Sequence, residues 1–260
     1  MNTGLSDRVV LVTGASSGIG AATAAAFGAE GARVAITYHT NLTAAQATAQ
    51  RVEAAGGKAL VVALDLEAPA SIGAAVGRVL EHWGQLDVLV ANAVYWGADR
   101  PDPTIRFEDV PLAKWQAMLT ANVVGNAAVI DAVLPTMRAR RWGRIVLLSS
   151  GAAEEGLPGP GPYGTAKSGL HGLARSLAWD AGRDGVLVNV VAAGFTLTDR
   201  RWQPPNELLA TLAARTPSRR LSTPPDVAKL IVFLGSAANA NLTGELLREG
   251  SSAGRSGHTL

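Results

Sequence analysis

Apolar residues in this chain arrive in short dense bursts, separated by longer stretches in which they recur every three or four positions. The bursts fall at 8–13, 33–38, 59–64, 87–91, 144–149 and 186–191, with a shorter one near 245–248. Short apolar runs rich in Val, Ile and Leu read as strands buried on both faces. The stretches near 18–30, 43–55, 69–83, 111–138, 162–181 and 224–236 read as helices. Strands alternating with helices predict an α/β fold: a doubly wound parallel sheet of about seven strands with helices on both faces. No repeat, linker or low-complexity tract divides residues 1–260, so a single domain is expected. The segment Pro158-Gly159-Pro160-Gly161-Pro162 is too stiff and too poor in donors for a helix or a central strand. It predicts a rigid loop that sets where Tyr163 enters its helix. The tail 251–260 is expected to be flexible.

Polar chemistry gathers where the bursts end. Residues 9–20, Val-Val-Leu-Val-Thr-Gly-Ala-Ser-Ser-Gly-Ile-Gly, break from strand into a glycine-rich turn, and an alanine-rich helix follows. Strand, glycine turn and helix N-terminus in that order make an anion site, because backbone N–H groups and the helix dipole face the same point. Gly14, Gly18 and Gly20, with Ser16, Ser17 and Ile19 between them, are a variant of the dinucleotide fingerprint. In an open parallel sheet ligands bind beyond the carboxyl ends of the strands. Tyr38, His39, Thr40, Asn41, Asp65, Leu66, Asn92, Ser150 and Gly194 all follow strand ends. A Rossmann-type sheet holding a dinucleotide across its edge is the expectation.

A second signal lies far along the chain. Tyr163 and Lys167 are four apart, on one face of a helix, and Ser150 precedes the tyrosine by thirteen. A phenol near pKa 10 is a poor proton donor or acceptor at neutral pH, and a neighbouring ammonium brings it toward the working range. Alone, Tyr-x-x-x-Lys is a weak motif; with Ser150, Asn122 and the distant glycine turn it becomes specific.

Together these residues resemble the single-domain short-chain dehydrogenase/reductases, from about Leu5 to about Gly250. The matching pieces are Thr13–Gly20, Asp65-Leu66, Ala91-Asn92-Ala93, Asn122, Ser149-Ser150, Tyr163–Lys167, Val188-Asn189-Val190 and the stretch from Arg220 to Gly244. The similarity runs toward β-ketoacyl-carrier-protein reductases, polyketide ketoreductases and glucose-dehydrogenase-like enzymes. It implies reduction of a ketone to a secondary alcohol, with Tyr163 as general acid and Ser150 holding the same oxygen. It further implies that Lys167 lowers the tyrosine pKa and bonds the nicotinamide ribose. Asn122 supports a water for proton resupply, and Ala93, Gly194, Thr196 and Thr198 meet the cofactor. Residues 199–217 match the family's mobile lid. No metal is expected.

Coenzyme choice rests on the end of the second strand. A carboxylate there would bond a ribose 2′-OH and repel a 2′-phosphate. Thr37-Tyr38-His39-Thr40-Asn41 carries none, resembles the pattern of NADPH-using ketoreductases, and favours NADP(H) over NAD(H). The family's arginine before Gly18 is Ser17 here. Pocket candidates are Tyr95, Trp96, Glu154, Leu157, Phe195 and Trp202, a set that suits a bulky, ring-bearing ketone of secondary metabolism. A fatty-acid β-ketoacyl reductase and a sugar or alcohol dehydrogenase are the alternatives; a non-catalytic cofactor sensor fits least, since Tyr163 and Lys167 are intact. An enoyl reductase is disfavoured, because that branch spaces tyrosine and lysine further apart.

Other departures are Ala91-Asn92-Ala93-Val94 for Asn-Asn-Ala-Gly, Ala193-Gly194 for Pro-Gly, and Glu249-Gly250-Ser251-Ser252 for the terminal Val-Asp/Asn-Gly-Gly. Family tetramers pack through that last region. A homodimer or homotetramer through 111–138 and 162–181 is expected, since Gly169, Gly172, Ala174 and Ala178 allow close helix approach. Arg138, Arg140, Arg141 and Arg144 form a basic cluster that suggests docking of an acyl carrier protein. A formal charge of +2 is too small to argue for nucleic acid. No uninterrupted apolar run approaches the roughly 20 residues that span a bilayer. The absence of cysteine is compatible with a reducing compartment, and a cytoplasmic enzyme is the expectation.

Overall fold

The computed structural model describes residues 2–97, 104–156, 161–198 and 205–250. Seven parallel strands form one sheet: β1 (Val9–Val12), β2 (Arg33–Tyr38), β3 (Lys58–Ala63), β4 (Val88–Ala91), β5 (Gly143–Ser150), β6 (Val186–Ala193) and β7 (Leu246–Glu249). Their spatial order is β3-β2-β1-β4-β5-β6-β7. This is the Rossmann order with one strand added. The helices are α1 (Gly18–Ala29), α2 (Leu42–Ala54), α3 (Pro69–Trp83), α4 (Leu112–Leu119), α5 (Asn126–Ala139), α6 (Ala152–Glu155), α7 (Gly161–Ala181), α8 (Asn206–Ala214) and α9 (Pro224–Leu234).

Side-chain alternation along the strands splits the core into two layers. Val9 and Leu11 face a layer with Ile72 and Val76 of α3, Val129 and Val133 of α5, and Leu170 of α7. Val10 and Val12 face Phe27 of α1, Val52 of α2 and Ile231 of α9. Both faces of the central strands are therefore dry, which is why they read as unbroken apolar bursts.

Two expectations need correction. The helix expected over 111–138 is interrupted: Thr120–Gly125 forms a π-helical turn between α4 and α5. Gly161 and Pro162 belong to the first turn of α7, not to a stiff loop. Proline is tolerated there because first-turn N–H groups have no intrahelical partner anyway; residues 158–160 lie outside the described set. Within the lid segment, Asn206–Ala214 is helical, while 199–204 and the tail 251–260 lie outside the described residues. The helical run Leu112–Ala139, although interrupted by Lys114, Asp131 and three amides, is long and apolar enough, by length and composition alone, to cross a membrane. It packs instead as a core helix, with Val129, Ile130, Val133 and Met137 buried between α3 and the sheet.

Candidate active site

The glycine turn after β1 is held by threonines at strand ends. Thr13 Oγ1 accepts from the N–H groups of Asn92 (3.0 Å) and Ala93 (2.9 Å), and Thr37 Oγ1 accepts from Gly14 N–H (3.0 Å). Asn92, after β4, donates through Nδ2 to the carbonyls of Thr13 and Gly14 at 2.8 and 3.0 Å. The turn is thus stapled across the switch point between β1 and β4, where ligands bind in open α/β sheets. A Cβ on Gly20 would come within 2.5 Å of Asn92 Nδ2 and 2.6 Å of the Gly14 carbonyl, and Gly14 has φ +62°. Only glycine fits either place.

The residues present fit a dinucleotide. Helix α1 begins at Gly18 behind Ser17, whose side chain makes no capping bond, and its first turn carries no acid. Its leading N–H groups therefore face outward over a strand-end crevice in which no side-chain cap competes with a pyrophosphate. Around the turn, Ser16 and Ile19 are half-buried and Ser17 exposed. At the end of β2, Tyr38 is half-buried, while His39, Thr40 and Asn41 are exposed. Asn41 is partly committed, because its Oδ1 caps α2 by accepting from Ala44 N–H at 3.0 Å. Asp65 follows β3, with Oδ2 3.6 Å from His39 Nε2. The Leu66 side chain is buried in the core, and its carbonyl packs on Gly125, 2.4 Å from where a Gly125 Cβ would stand. Gly194 follows β6 and donates to the Glu249 carbonyl (2.7 Å); Thr196 Oγ1 donates back to Gly194 O (3.1 Å). Thr198 is half-buried near Gly18, its Cγ2 3.4 Å from where a Gly18 Cβ would stand.

Around the expected nicotinamide position four elements meet. Ser150 ends β5, and its Oγ accepts from Ala152 N–H (3.3 Å). Tyr163 and Lys167 stand one turn apart on α7, both buried. The Lys167 ammonium donates to the Leu148 carbonyl at 2.7 Å and lies 6.0 Å from the Tyr163 ring centre. Burial pushes its pKa down to about 8. Asn122 sits in the π turn, a distortion that frequently marks functional positions, and is fully buried. Its Oδ1 accepts from Tyr95 N–H, and its Nδ2 donates to Tyr95 O, both at 2.9 Å. That carboxamide is spent on positioning the 95–96 segment, and Asn126 Nδ2 donates to the Asn122 carbonyl at 2.8 Å.

The 95–96 segment delivers Trp96 onto the tyrosine. The two rings stack with centres 4.5 Å apart and planes 18° apart. Phe195, after β6, is 42 % exposed. Glu154 engages Arg248 of β7 through both its oxygens, one Oε1–Nη2 contact being 2.7 Å. Leu157 and Trp202 lie outside the described residues. The arginine cluster is also internally committed. Arg138 pairs with Asp180 and Asp184, Arg141 bonds the Arg183 carbonyl, Arg140 lies 3.7 Å from Asp87, and buried Arg144 donates to backbone carbonyls.

Sequence reasoning missed the supports. Thr13 and Thr37 were visible only as strand-end hydroxyls. Ser149, beside Ser150, donates to the Lys167 carbonyl (3.3 Å) and lies 2.7 Å from His171 Nε2. His171 is two helical turns beyond Tyr163, a spacing that could have exposed it.

Residues 14–248 match the protein family described as Enoyl-(Acyl carrier protein) reductase. The chain belongs to the short-chain dehydrogenase/reductase family, and it is an oxidoreductase acting on the ketone–secondary alcohol couple. It is 35 % identical over 240 residues to the 3-oxoacyl-[acyl-carrier-protein] reductase of Escherichia coli K12, covering 92 % of this chain and 94 % of that one. It is equally 35 % identical, over 247 residues, to cis-4-hydroxycyclohexanecarboxylate dehydrogenase of Sinomonas cyclohexanicum, covering 95 % and 96 %. A solved structure from Sinorhizobium meliloti, described as a short-chain alcohol dehydrogenase, superposes with a TM-score of 0.85 at 30 % identity, over 95 % and 96 % of the two chains.

Proposed function

We propose that this enzyme reduces a bulky, ring-bearing ketone to a secondary alcohol with NADPH. The bound coenzyme would supply the hydride; everything else falls to the protein. Ser150 Oγ holds the ketone oxygen, Tyr163 gives that oxygen its proton, and the Lys167 cation favours the tyrosinate left behind. Asn122 fixes the segment carrying Tyr95 and Trp96, and so fixes the wall of the pocket. Absence of a carboxylate in 37–41 supports the phosphorylated coenzyme.

The observation that carries the substrate class is the stack of Trp96 on Tyr163. A substrate reaching the tyrosine hydroxyl must pass a large indole face, which suits flat or cyclic ligands. The name of the Sinomonas relative, acting on a cyclohexane ring, agrees with that choice. The 3-oxoacyl-carrier-protein name of the Escherichia coli relative supports a second reading, a β-ketoacyl thioester delivered by a carrier protein; the internally paired arginine cluster gives it no added support. The Tyr163–Lys167 spacing favours ketone over enoyl reduction. Exposed Leu112, Val124 and Trp179 on α4, the π turn and α7 support a homo-oligomer built through those elements.

The test is oxidation and reduction of a panel of cyclic ketones, linear β-ketoesters, β-ketoacyl thioesters and sugars with each coenzyme, followed by coenzyme absorbance. Trp96→Ala is expected to lower kcat/KM for cyclic ketones about tenfold more than for linear β-ketoesters, the upper end of an aromatic pair's worth. Equal losses, or a clear preference for linear thioesters, would favour the second reading.

A further inference from the structure

Residues 194–198 run from the end of β6 toward the glycine turn as a strap, tied down from two sides. Gly194 N–H donates to the Glu249 carbonyl at the end of β7 (2.7 Å), and Leu197 N–H donates to the Ser222 carbonyl just before α9 (2.9 Å). Thr196 and Ser222 also pair as an isolated parallel bridge. At the far end of the strap, Thr198 Cγ2 lies 3.4 Å from where a Gly18 Cβ would stand. The two anchors, Glu249 and Ser222, come from different elements and meet through their side chains. Buried Ser222 Oγ donates to Glu249 Oε1 at 3.0 Å. The nearby charges are already matched: Arg220 pairs with Asp226 at 2.7 Å, and Arg248 pairs with Glu154.

A carboxyl at this place is a poor choice for stability. Glu249 Oε2 is buried without a hydrogen-bond partner among the described residues, and burial pushes the carboxyl pKa up. An unpaired buried oxygen costs stability, whereas an apolar pair of the same shape is nearly neutral or stabilising. What a hydrogen bond adds is direction: it fixes the distance and angle between β7 and the 220–223 segment. We propose that the Glu249–Ser222 bond is a positioning device that locks the two anchors of the 194–198 strap to each other, and so holds the strap against the nicotinamide half of the coenzyme. The inference rests on the reading that a dinucleotide lies across this crevice. Both residues act through the backbone of the strap, and neither touches the reacting atoms.

The experiment uses the full chain and calorimetric titration. Its probes are the coenzyme that wild type binds tighter, NADPH or NADH, and the matching adenosine half, 2′,5′-ADP or 5′-AMP. Glu249→Leu combined with Ser222→Ala replaces both partners by apolar groups, so the melting temperature should stay equal or rise. The coenzyme should nevertheless bind at least about fivefold more weakly, the low end of coupling between linked sites, while the adenosine half binds as in wild type. Glu249→Gln keeps an acceptor for Ser222 and should restore coenzyme affinity. Without coenzyme, amide exchange over 194–198 should quicken in the double variant and not in the glutamine variant. Ser222→Ala alone breaks the same bond by removing one oxygen, and it carries the test should the double variant not fold. Wild-type coenzyme affinity in the variants lacking the bond would overturn the inference while sparing the dinucleotide reading. So would equal losses for coenzyme and adenosine half, or a glutamine variant as weak as the double variant. If wild type binds neither coenzyme, the inference and the dinucleotide reading fall together.

Discussion

The two edges of the parallel sheet are built by opposite rules. At the amino edge, charge is consumed internally. Asp87, fully buried just before β4, accepts from Arg8 (2.9 Å), from Val9 N–H (2.8 Å) and from Gln85 (2.9 Å). Trp142 is sandwiched between the guanidinium groups of Arg8 and Arg144, 3.9 and 4.6 Å from its ring centre. Arg144 donates to the carbonyls of Gly143, Ser236 and Asn239, and burial, with help from the Arg8 charge, pushes its pKa down to about 10. At the carboxyl edge, threonine hydroxyls and the Asn92 and Asn122 carboxamides hold the loops, and apart from the Glu154–Arg248 pair the polar groups around the glycine turn and Ser150 are left toward the crevice. Polar groups that finish their business inside the protein stabilise it; those left facing the crevice are available to a ligand.

Substitutions that separate the two edges would sharpen or break this contrast. The largest effect is expected from Asp87→Ala, which strands Arg8, Gln85 and an amide at once. Removing one partner of a buried pair costs about 3–5 kcal/mol, and the partial exposure of Arg8 puts the expected loss near the lower figure. Denaturant melts would measure it, and coenzyme affinity of the folded protein should not change. If affinity fell in step with stability, the edges would not be independent.

Next in size is Tyr38→Asp at the carboxyl edge. A carboxylate at the end of β2 bonds a ribose hydroxyl and repels a 2′-phosphate. Wild type is expected to bind NADPH at least about tenfold tighter than NADH, about 1.4 kcal/mol, and the variant should reverse the order with little change in melting temperature. A wild type that prefers NADH in a fluorescence titration would contradict the reading of residues 37–41.

Smaller still is a pH effect from Lys167. Burial lowers its pKa to about 8, so the ammonium is present below that value and is lost as pH rises through it. Ketone reduction needs the cation beside Tyr163, so kcat/KM for reduction should level off below about pH 8 and decline above it. A profile flat to pH 10 would mean that the lysine charge is not used.

Much of this contrast was legible in the sequence. Apolar bursts located all seven strands because both faces of a central parallel strand are buried, and glycine spacing located the turn because a close backbone approach admits no Cβ. The expected tetrad comes from three separate elements, the π turn (Asn122), β5 (Ser150) and α7 (Tyr163 and Lys167). What stayed hidden depends on distant partners. The Glu154–Arg248 pair joins residues 94 apart, and nothing periodic marks it. The Trp96–Tyr163 stack exists because Asn122, in a π turn that apolar periodicity cannot distinguish from α-helix, clamps Tyr95. The start of α7 at Gly161 was masked by the proline that follows it, a residue that breaks helices everywhere except in their first turn.

The most direct test of the account is turnover of Tyr163→Phe on whichever ketone the panel identifies. The substitution removes one oxygen from a ring that stays stacked on Trp96, so the fold and the glycine turn should be untouched. Turnover is expected to fall by at least the roughly 10²–10⁴ assigned to general acid–base catalysis, with NADPH affinity and melting temperature nearly unchanged. Turnover near that of the wild type would contradict the claim that the carboxyl edge performs its chemistry through this tyrosine.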